Sequence, residues 1–390
     1  MDKTTKAIHG SFPQADAYGS LSMPVYHTAA YEFENADLMA DAFCGRVLMP
    51  DYSRVMNPTV MFLENQIKKL TGAFDVIAMT SGMAAISNTF LALAEAGKNI
   101  VTSRHLFGNT FALLDVTLRR FGVETRFCDM TDPKDVERNI DDRTCCLFLE
   151  IITNPQMEVA DITALSKLAR QKNIPLVADT TMIPFTEFNA HDLGVDIELV
   201  SSTKYLSGGA TSLGGLIIDY GTAEGFNHKI RFELLFNLGT YMTPHAAYMQ
   251  TLGLETLAVR YARQSDTALK LAKKLKKVDK IKYVNYIGLE DNPFHELSKK
   301  QFNNSYGAML TIDLEDSESC KNFINNLKLI KRATNLFDNK SLAIHPYTTI
   351  FGPFSDQRKK EMDIKDTTIR LSVGLEDVED LFKDIVNAIS

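Results

Sequence analysis

Residues 175–204 read PLVADTTMIPFTEFNAHDLGVDIELVSSTK, and the fold is decided in this stretch. Two short apolar runs, Pro175 to Ala178 and Ile197 to Val200, each give way at once to side chains that do chemistry: Asp179 after the first, and Ser201, Thr203 and Lys204 after the second. Short apolar runs bounded by polar or turn residues are the mark of strands buried on both faces. The pattern repeats outward in both directions. Strands are expected at Val76 to Met79, Asn99 to Thr102, Thr125 to Cys128, Cys145 to Glu150 and Leu216 to Asp219, with helical periodicity between them, as at Leu165 to Gln171. Such alternation predicts an α/β fold with a mostly parallel sheet covered by helices. Ligands of such sheets gather at the carboxyl ends of the strands, where the loops carrying Asp179 and Lys204 lie.

Composition narrows the functional classes. A chain of 390 residues exceeds what one hydrophobic core usually supports, so two domains are expected. The net charge of -7 leaves no electrostatic footprint for nucleic acid or an anionic membrane, and neither partner is expected. The densest lysine run, Lys270 to Lys282, is interleaved with Leu271 and Leu275 and reads as the solvated face of a helix. Met1 to Ser20 lacks an apolar signal core, and no stretch approaches the roughly 18 apolar residues of a membrane span, which predicts a cytoplasmic protein. The five cysteines form no CxxC pair, and Cys145 and Cys146 sit in an apolar run, as buried thiols do. No metal site is expected.

Pro13 to Pro58 is rich in Pro, Tyr and Met without sustained periodicity, and reads as an extended arm that packs on a neighbouring subunit. The division that follows is an arm over 1–60, a large domain over 61–245 and a smaller α+β domain over 246–390. The last is expected to hold one or two helices over Ala246 to Lys277, an apolar run at Met309 to Leu314, a helix near Cys320 to Leu329 and a final helix from Val378 to Ile389.

Four strand ends in the large block carry candidate chemistry. At Thr80-Ser81-Gly82-Met83 a strand turns into a helix whose first N–H groups can cradle a phosphate, with Gly82 permitting close approach; a plain N-cap reads equally well. Asp179, at the end of an apolar strand, is costly unless paired, and a protonated pyridine nitrogen suits it, as would a helix cap or a metal. Lys204 stands at the end of a buried strand, where desolvation lowers an amine pKa. Ser201 and Thr203, two residues apart, share one face of an extended chain and can both reach a phosphate. The fourth end presents Glu150 and, four residues on, Asn154 before a proline. Far downstream, Arg370 lies in the strand-like run Ile369-Arg370-Leu371-Ser372, where its fork of donors suits a carboxylate ligand or a structural ion pair.

In this order, together with Tyr52-Ser53-Arg54-Val55-Met56-Asn57-Pro58, these segments resemble the cystathionine γ-synthase, methionine γ-lyase and O-acetylhomoserine sulfhydrylase family of fold-type I pyridoxal-5′-phosphate (PLP) enzymes, over nearly the whole chain. The resemblance implies that Lys204 holds PLP as a Schiff base, Asp179 pairs its ring nitrogen, and Ser81, Gly82, Met83, Ser201 and Thr203 surround its phosphate. It further implies that Tyr52 and Arg54 serve the neighbouring subunit's site, in a dimer or a dimer of dimers, with Tyr52 joining the catalytic group. Glu150 and Asn154 would border the cofactor, and Asn154, Ser341 and Arg370 would hold the substrate carboxylate.

Three positions depart from the family. Phe107 occupies a position that is usually Tyr, so it can stack on the ring but can neither donate nor accept a proton. Asn109 and Gly209 also differ from common members, which have Cys (in methionine γ-lyases) and His there. These features look most like an O-acetylhomoserine sulfhydrylase acting on a small amino acid with sulfide or a sulfide carrier to give homocysteine. Methionine γ-lyase and cystathionine γ-synthase or lyase activities remain as alternatives, followed by an aminotransferase or desulfurase and by a non-catalytic PLP-binding protein.

Overall fold

The computed structural model describes residues 2–9 and 18–389. Its centre is a seven-stranded sheet made of β1 (Asp75–Met79), β2 (Asn99–Ser103), β3 (Glu124–Cys128), β4 (Thr144–Glu150), β5 (Leu176–Asp179), β6 (Ile197–Val200) and β7 (Gly215–Asp219), in the order β1-β7-β6-β5-β4-β2-β3. Strands β6, β5, β4, β2 and β3 run parallel, and β7 runs antiparallel to both its neighbours. All seven expected strands are present. Side-chain alternation explains why they had to be apolar throughout. In β1, Val76 and Ala78 enter one core while Ile77 and Met79 enter the other, and β4 divides Leu147 and Leu149 from Cys146 and Phe148 in the same way.

The reversal of β7 has a local cause. Between Val200 and Gly215 the chain makes no crossover helix, so it returns beside β6 at the end it has just left, pairing Val200 with Leu216. The loop 201–214 is thereby held at the carboxyl end of the sheet. Gly215 is needed there, because a Cβ would lie 2.0 Å from the Ser81 carbonyl oxygen. Helix Gly82–Leu93 starts at this contact, capped by the Ser81 hydroxyl, which accepts the Ala84 N–H at 3.1 Å.

Helices Pro244–Glu255 and Leu257–Leu275 lead to a second sheet of β8 (Tyr283–Asn285), β9 (Met309–Asp313), β10 (Lys331–Arg332), β11 (Leu342–Ile344) and β12 (Thr368–Ser372), ordered β10-β11-β12-β9-β8. It is antiparallel apart from the β10–β11 pair. Helices Ser317–Asn326 and Val378–Ile389 complete this part of the chain. Lys270 and Lys273 are exposed while Leu271 and Leu275 are buried, the solvated-face pattern expected.

Two features differ from the sequence reading. Residues 3–8 form a helix that docks on the chain itself, with Ala7 buried and Lys3 Nζ donating to the Phe185 and Phe188 carbonyls at 3.0 and 3.2 Å, so this part of the expected arm does not reach outward. Within the arm, Ala36–Phe43 is helical, started by Asn35 accepting the Leu38 N–H at 2.8 Å; none of its residues is buried, which is why no periodicity announced it. Pro13 to Ala17 lie outside the described residues. No helix among the described residues is long and apolar enough to cross a membrane.

Arg231, on the helical run from Phe226 to Leu238, clamps the edge of the large sheet. Its guanidinium bonds Asp75 through Nε and Nη2 at 2.5 and 3.0 Å, Glu64 at 3.2 Å and the Val76 carbonyl at 2.7 Å. Burial raises the Glu64 carboxyl, with Arg231 opposing the rise. Arg231→Met should therefore cost about 3 kcal/mol by stranding two carboxylates, seen as a fall in Tm by scanning calorimetry. Adding Glu64→Gln should recover part of that loss, and an unchanged Tm in the single variant would show the clamp to be inert.

Candidate active site

A cavity of about 700 Å³ opens at the carboxyl ends of β4, β5 and β6. It is lined by Ser81, Gly82, Met83, Phe107, Glu150, Asn154, Asp179, Ser201, Thr203, Lys204 and Arg370, so eleven of the fourteen side chains singled out in the sequence meet here. The sheet register does much of this. Glu150 and Asp179 are partners at the ends of β4 and β5, and Asp179 pairs with Leu199 just before the loop that carries Lys204.

One wall has the chemistry of an anion cradle. The Ser81 cap serves Ala84, which leaves the Gly82 and Met83 N–H groups without intrahelical partners at a helix N-terminus. A Cβ at Gly82 would lie 2.7 Å from the Ser201 Cβ, so glycine alone lets the Ser201 turn close on the helix. The Thr203 hydroxyl donates to the Gly214 carbonyl at 3.2 Å and can accept the Gly214 N–H at 3.0 Å, while the Ser201 N–H donates to the Thr181 hydroxyl at 2.8 Å.

Across the cavity stand charges that the chain does not neutralise. Asp179 is partly buried at the end of β5, and desolvation pushes its carboxyl up against two stabilising hydrogen bonds from Thr181 and the charge of Lys204. Among the described residues it makes no ion pair. Glu150 accepts the Phe107 N–H at 2.7 Å; burial first and the nearby Asp179 charge second hold it well above the usual carboxylate range, towards its neutral form. Burial, followed by the positive charge of Arg370, lowers the Lys204 amine to about 8, and Nζ donates to the Asn335 side-chain oxygen at 2.8 Å. Arg370, on β12, is 2% exposed and makes no ion pair among the described residues. Its Nη2 donates to the Thr334 and Asn335 carbonyls at 3.0 and 3.1 Å, its Nη1 reaches Asn154 Oδ1 at 3.5 Å, and its Nε has no acceptor.

These features fit PLP. An unpaired, desolvated carboxylate suits a pyridinium N–H, a lysine with a lowered pKa suits an aldehyde carbon, and the Gly82 cradle suits a phosphate. Among the described residues no group of His, Cys, Asp or Glu is placed to hold a metal ion.

Three expected residues are elsewhere. Ser341 does not reach the cavity: its hydroxyl donates to Glu376 at 2.8 Å and accepts the Gly374 N–H at 2.9 Å, so it ties a turn together. Asn335, six residues earlier, takes the place beside Lys204 and Arg370. Nothing local distinguished Asn335 from any loop asparagine; it lies in the connection between β10 and β11, whose Thr334 and Asn335 carbonyls accept from Arg370. Tyr52 and Arg54 stand apart from this chain's cavity, Arg54 donating to the Phe236 carbonyl at 2.5 Å with its guanidinium 5.4 Å from the Tyr52 ring centre.

A sequence profile of the family described as Cys/Met metabolism PLP-dependent enzyme matches residues 4–390. The chain is 36% identical to the L-methionine gamma-lyase of Fusobacterium nucleatum subsp. nucleatum over 98% of its own length and 96% of that protein. It is 31% identical to the O-acetyl-L-homoserine sulfhydrylase of Corynebacterium glutamicum over 98% and 95%. A crystal structure from Campylobacter jejuni, of a protein assigned as an O-acetylhomoserine (thiol)-lyase and carrying N′-pyridoxyl-lysine-5′-monophosphate, superposes with a TM-score of 0.96 at 33% identity, covering all of both chains.

The lowered Lys204 pKa gives a direct prediction. Capture of PLP by the cofactor-stripped protein, fixed with borohydride, should label the peptide containing Lys204, with a rate that climbs as pH rises through about 8 and then levels off as the amine becomes neutral. Arg370→Met removes a neighbouring positive charge and should move that midpoint up. A label on another lysine, or a midpoint indifferent to Arg370, would contradict this account.

Proposed function

The chain belongs to the Cys/Met metabolism PLP-dependent enzyme family, and within it we propose that it replaces the γ-acetoxy group of O-acetyl-L-homoserine with sulfide or a carried sulfide, giving L-homocysteine. The observation that carries this reading is Phe107. It lines the cavity beside Lys204, and its phenyl ring offers a flat apolar wall with no proton to give or take. A γ-substituent that leaves as acetate needs no proton donor, whereas a thiolate is a stronger base and departs less readily.

PLP, when bound, supplies an electron sink for negative charge at the substrate carbon that bears the amino group. The chain's own residues would do the rest. The Arg370 fork, with Asn154 beside it, binds the substrate carboxylate, which pairs a buried guanidinium left unpaired by the protein. Lys204, partly neutral near pH 8 and directed by the Asn335 oxygen, is the base for the α-proton and returns protons later in the reaction. Asp179 keeps a positive charge at the ring nitrogen, and the Gly82 cradle with Ser201 and Thr203 fixes the phosphate. Apolar Met83, Ile86 and Phe107 limit water at the reacting carbons.

Tyr52 and Arg54 would complete the site of a second subunit in a homodimer, or in a tetramer built from two such dimers. Tyr52 is exposed and Arg54 half-buried on an arm with few buried residues, which supports this. Mixing inactive Arg54→Ala and Lys204→Ala proteins should then restore up to about a quarter of the activity, because a mixed dimer contains one intact site. No recovery after verified subunit exchange would count against a shared site.

The 36% identity to a methionine γ-lyase supports γ-elimination from methionine as a second reading. Parallel assays decide between them. Turnover of O-acetylhomoserine with sulfide should exceed elimination from methionine, and Phe107→Tyr should raise methionine elimination roughly a hundredfold, the low end of what a placed acid or base contributes, with little change in ester turnover. Methionine being the faster substrate of the unmodified enzyme would favour the lyase.

A further inference from the structure

His105 lies on the short link between β2 and Phe107, and only 8% of it is exposed. Its Nδ1 is 2.6 Å from Glu158 Oε2 and its Nε2 is 2.9 Å from Asp363 Oδ2. The partners come from two other pieces of the cavity wall. Glu158 closes the loop that carries Asn154, where Thr153 and Glu158 exchange hydrogen bonds at 3.0 Å. Asp363 ends the stretch 345–364, which contributes Ile350 to the cavity and packs Phe354 edge-on against Phe111 at 5.9 Å. That stretch also meets the turn after Phe107, because a Cβ on Gly108 would lie 3.1 Å from the Ile350 carbonyl oxygen.

A neutral imidazole has one N–H, so it can satisfy only one of two carboxylates set against its two nitrogens. The other would face a lone pair. The arrangement therefore requires an imidazolium, with both bonds charge-assisted. Burial works against that charge, but the hydrogen bonds and charges of Glu158 and Asp363 outweigh it and hold His105 above its ordinary value. Among the described residues no other cation pairs with either carboxylate. The neighbouring Arg104 acts on Cys128 and Asp135; Arg358 is bound to Asp115 and Glu361, and Lys359 to Asp356.

We propose that His105 is a positioning residue: as an imidazolium it joins the Phe107 turn, the Asn154 loop and the 345–364 stretch into one wall over the cavity, and when it loses its proton it releases Asp363 and the wall loosens. Asp363 is the partner that lets go, since 68% of its side chain is exposed against 30% for Glu158, and water replaces its bond at lower cost. Loosening is partial, because Gln156 Nε2 still donates to the Met362 carbonyl at 2.6 Å at any pH. The folded-state pKa lies above the ordinary 6.5, so the tie is fully present below that value and is lost as pH rises through the folded one.

Hydrogen exchange on the PLP-loaded enzyme without amino-acid substrate tests this, and its outcome does not depend on which γ-substituent the enzyme accepts. After correction for intrinsic rates, peptides spanning 345–364 should lose protection in a step with a midpoint above pH 6.5. Asp363→Asn, which keeps an oxygen but removes the charge, should lower the midpoint by roughly one pH unit or abolish the step. His105→Gln should give low protection at every pH. In steady-state assays the rise of KM at alkaline pH should move with the same midpoint while kcat changes less. Protection that does not vary with pH in the unmodified enzyme, or a step unmoved by Asp363→Asn, would overturn the proposal.

Discussion

Three ionisable groups, Asp179, Lys204 and Arg370, are brought into one cavity without an ion pair to any described residue, and the rest of the site is organised around that imbalance. Burying a carboxylate or a guanidinium without a counter-charge is costly, so the fold holds these groups ready for charges brought by something else. The three also act on one another. Burial and Arg370 depress the Lys204 amine while Asp179 partly restores it, which leaves a lysine that loses its proton around pH 8, far below an ordinary lysine. A cofactor with a protonated ring nitrogen, an electrophilic carbon and a phosphate, joined by an amino acid with its carboxylate, would supply the missing complement.

Such a site needs a rigid frame, and the backbone supplies it through close approach rather than through long side chains. Gly82 and Gly215 allow the start of a helix, the Ser201 turn and the start of β7 to share a space in which any Cβ would collide. Because β7 folds back beside β6, the lysine loop is anchored at both ends to the same edge of adjacent strands. The anion cradle is thus a consequence of sheet topology, and its preorganisation is built into the core that stabilises the large sheet.

The second sheet has a different part. Its strand β12 carries Arg370 inward, and the stretch from 345 to 364 brings Ile350 and Asp363 back against the large sheet's loops. The cavity lining is therefore built where the loops of one sheet meet a strand of the other. A phenyl ring at position 107 and an imidazole two residues before it sit at this junction, the first lining the cavity and the second in contact with Glu158 and Asp363.

Periodicity and composition were enough to place the seven strands of the large sheet, because each is short, buried on both faces and bounded by turn residues, and because residues that end such strands fall at one edge of the sheet. Eleven site residues could be named for the same reason: most stand at or just beyond a strand end. The helix at Ala36–Phe43 escaped because a helix that buries no face leaves no pattern. Ser341, expected at the carboxylate site, is tied to Glu376 and Gly374, and Asn335 carried no local signal, because both placements depend on contacts between segments far apart in sequence. The joining of His105 to Asp363, 258 residues away, is of that kind too. Local sequence determined which segments would be strands and which side chains would stand at their ends; only the tertiary structure decided which of them share the cavity and which charges are left unpaired, since both are set by chain segments that meet only when the two sheets pack together.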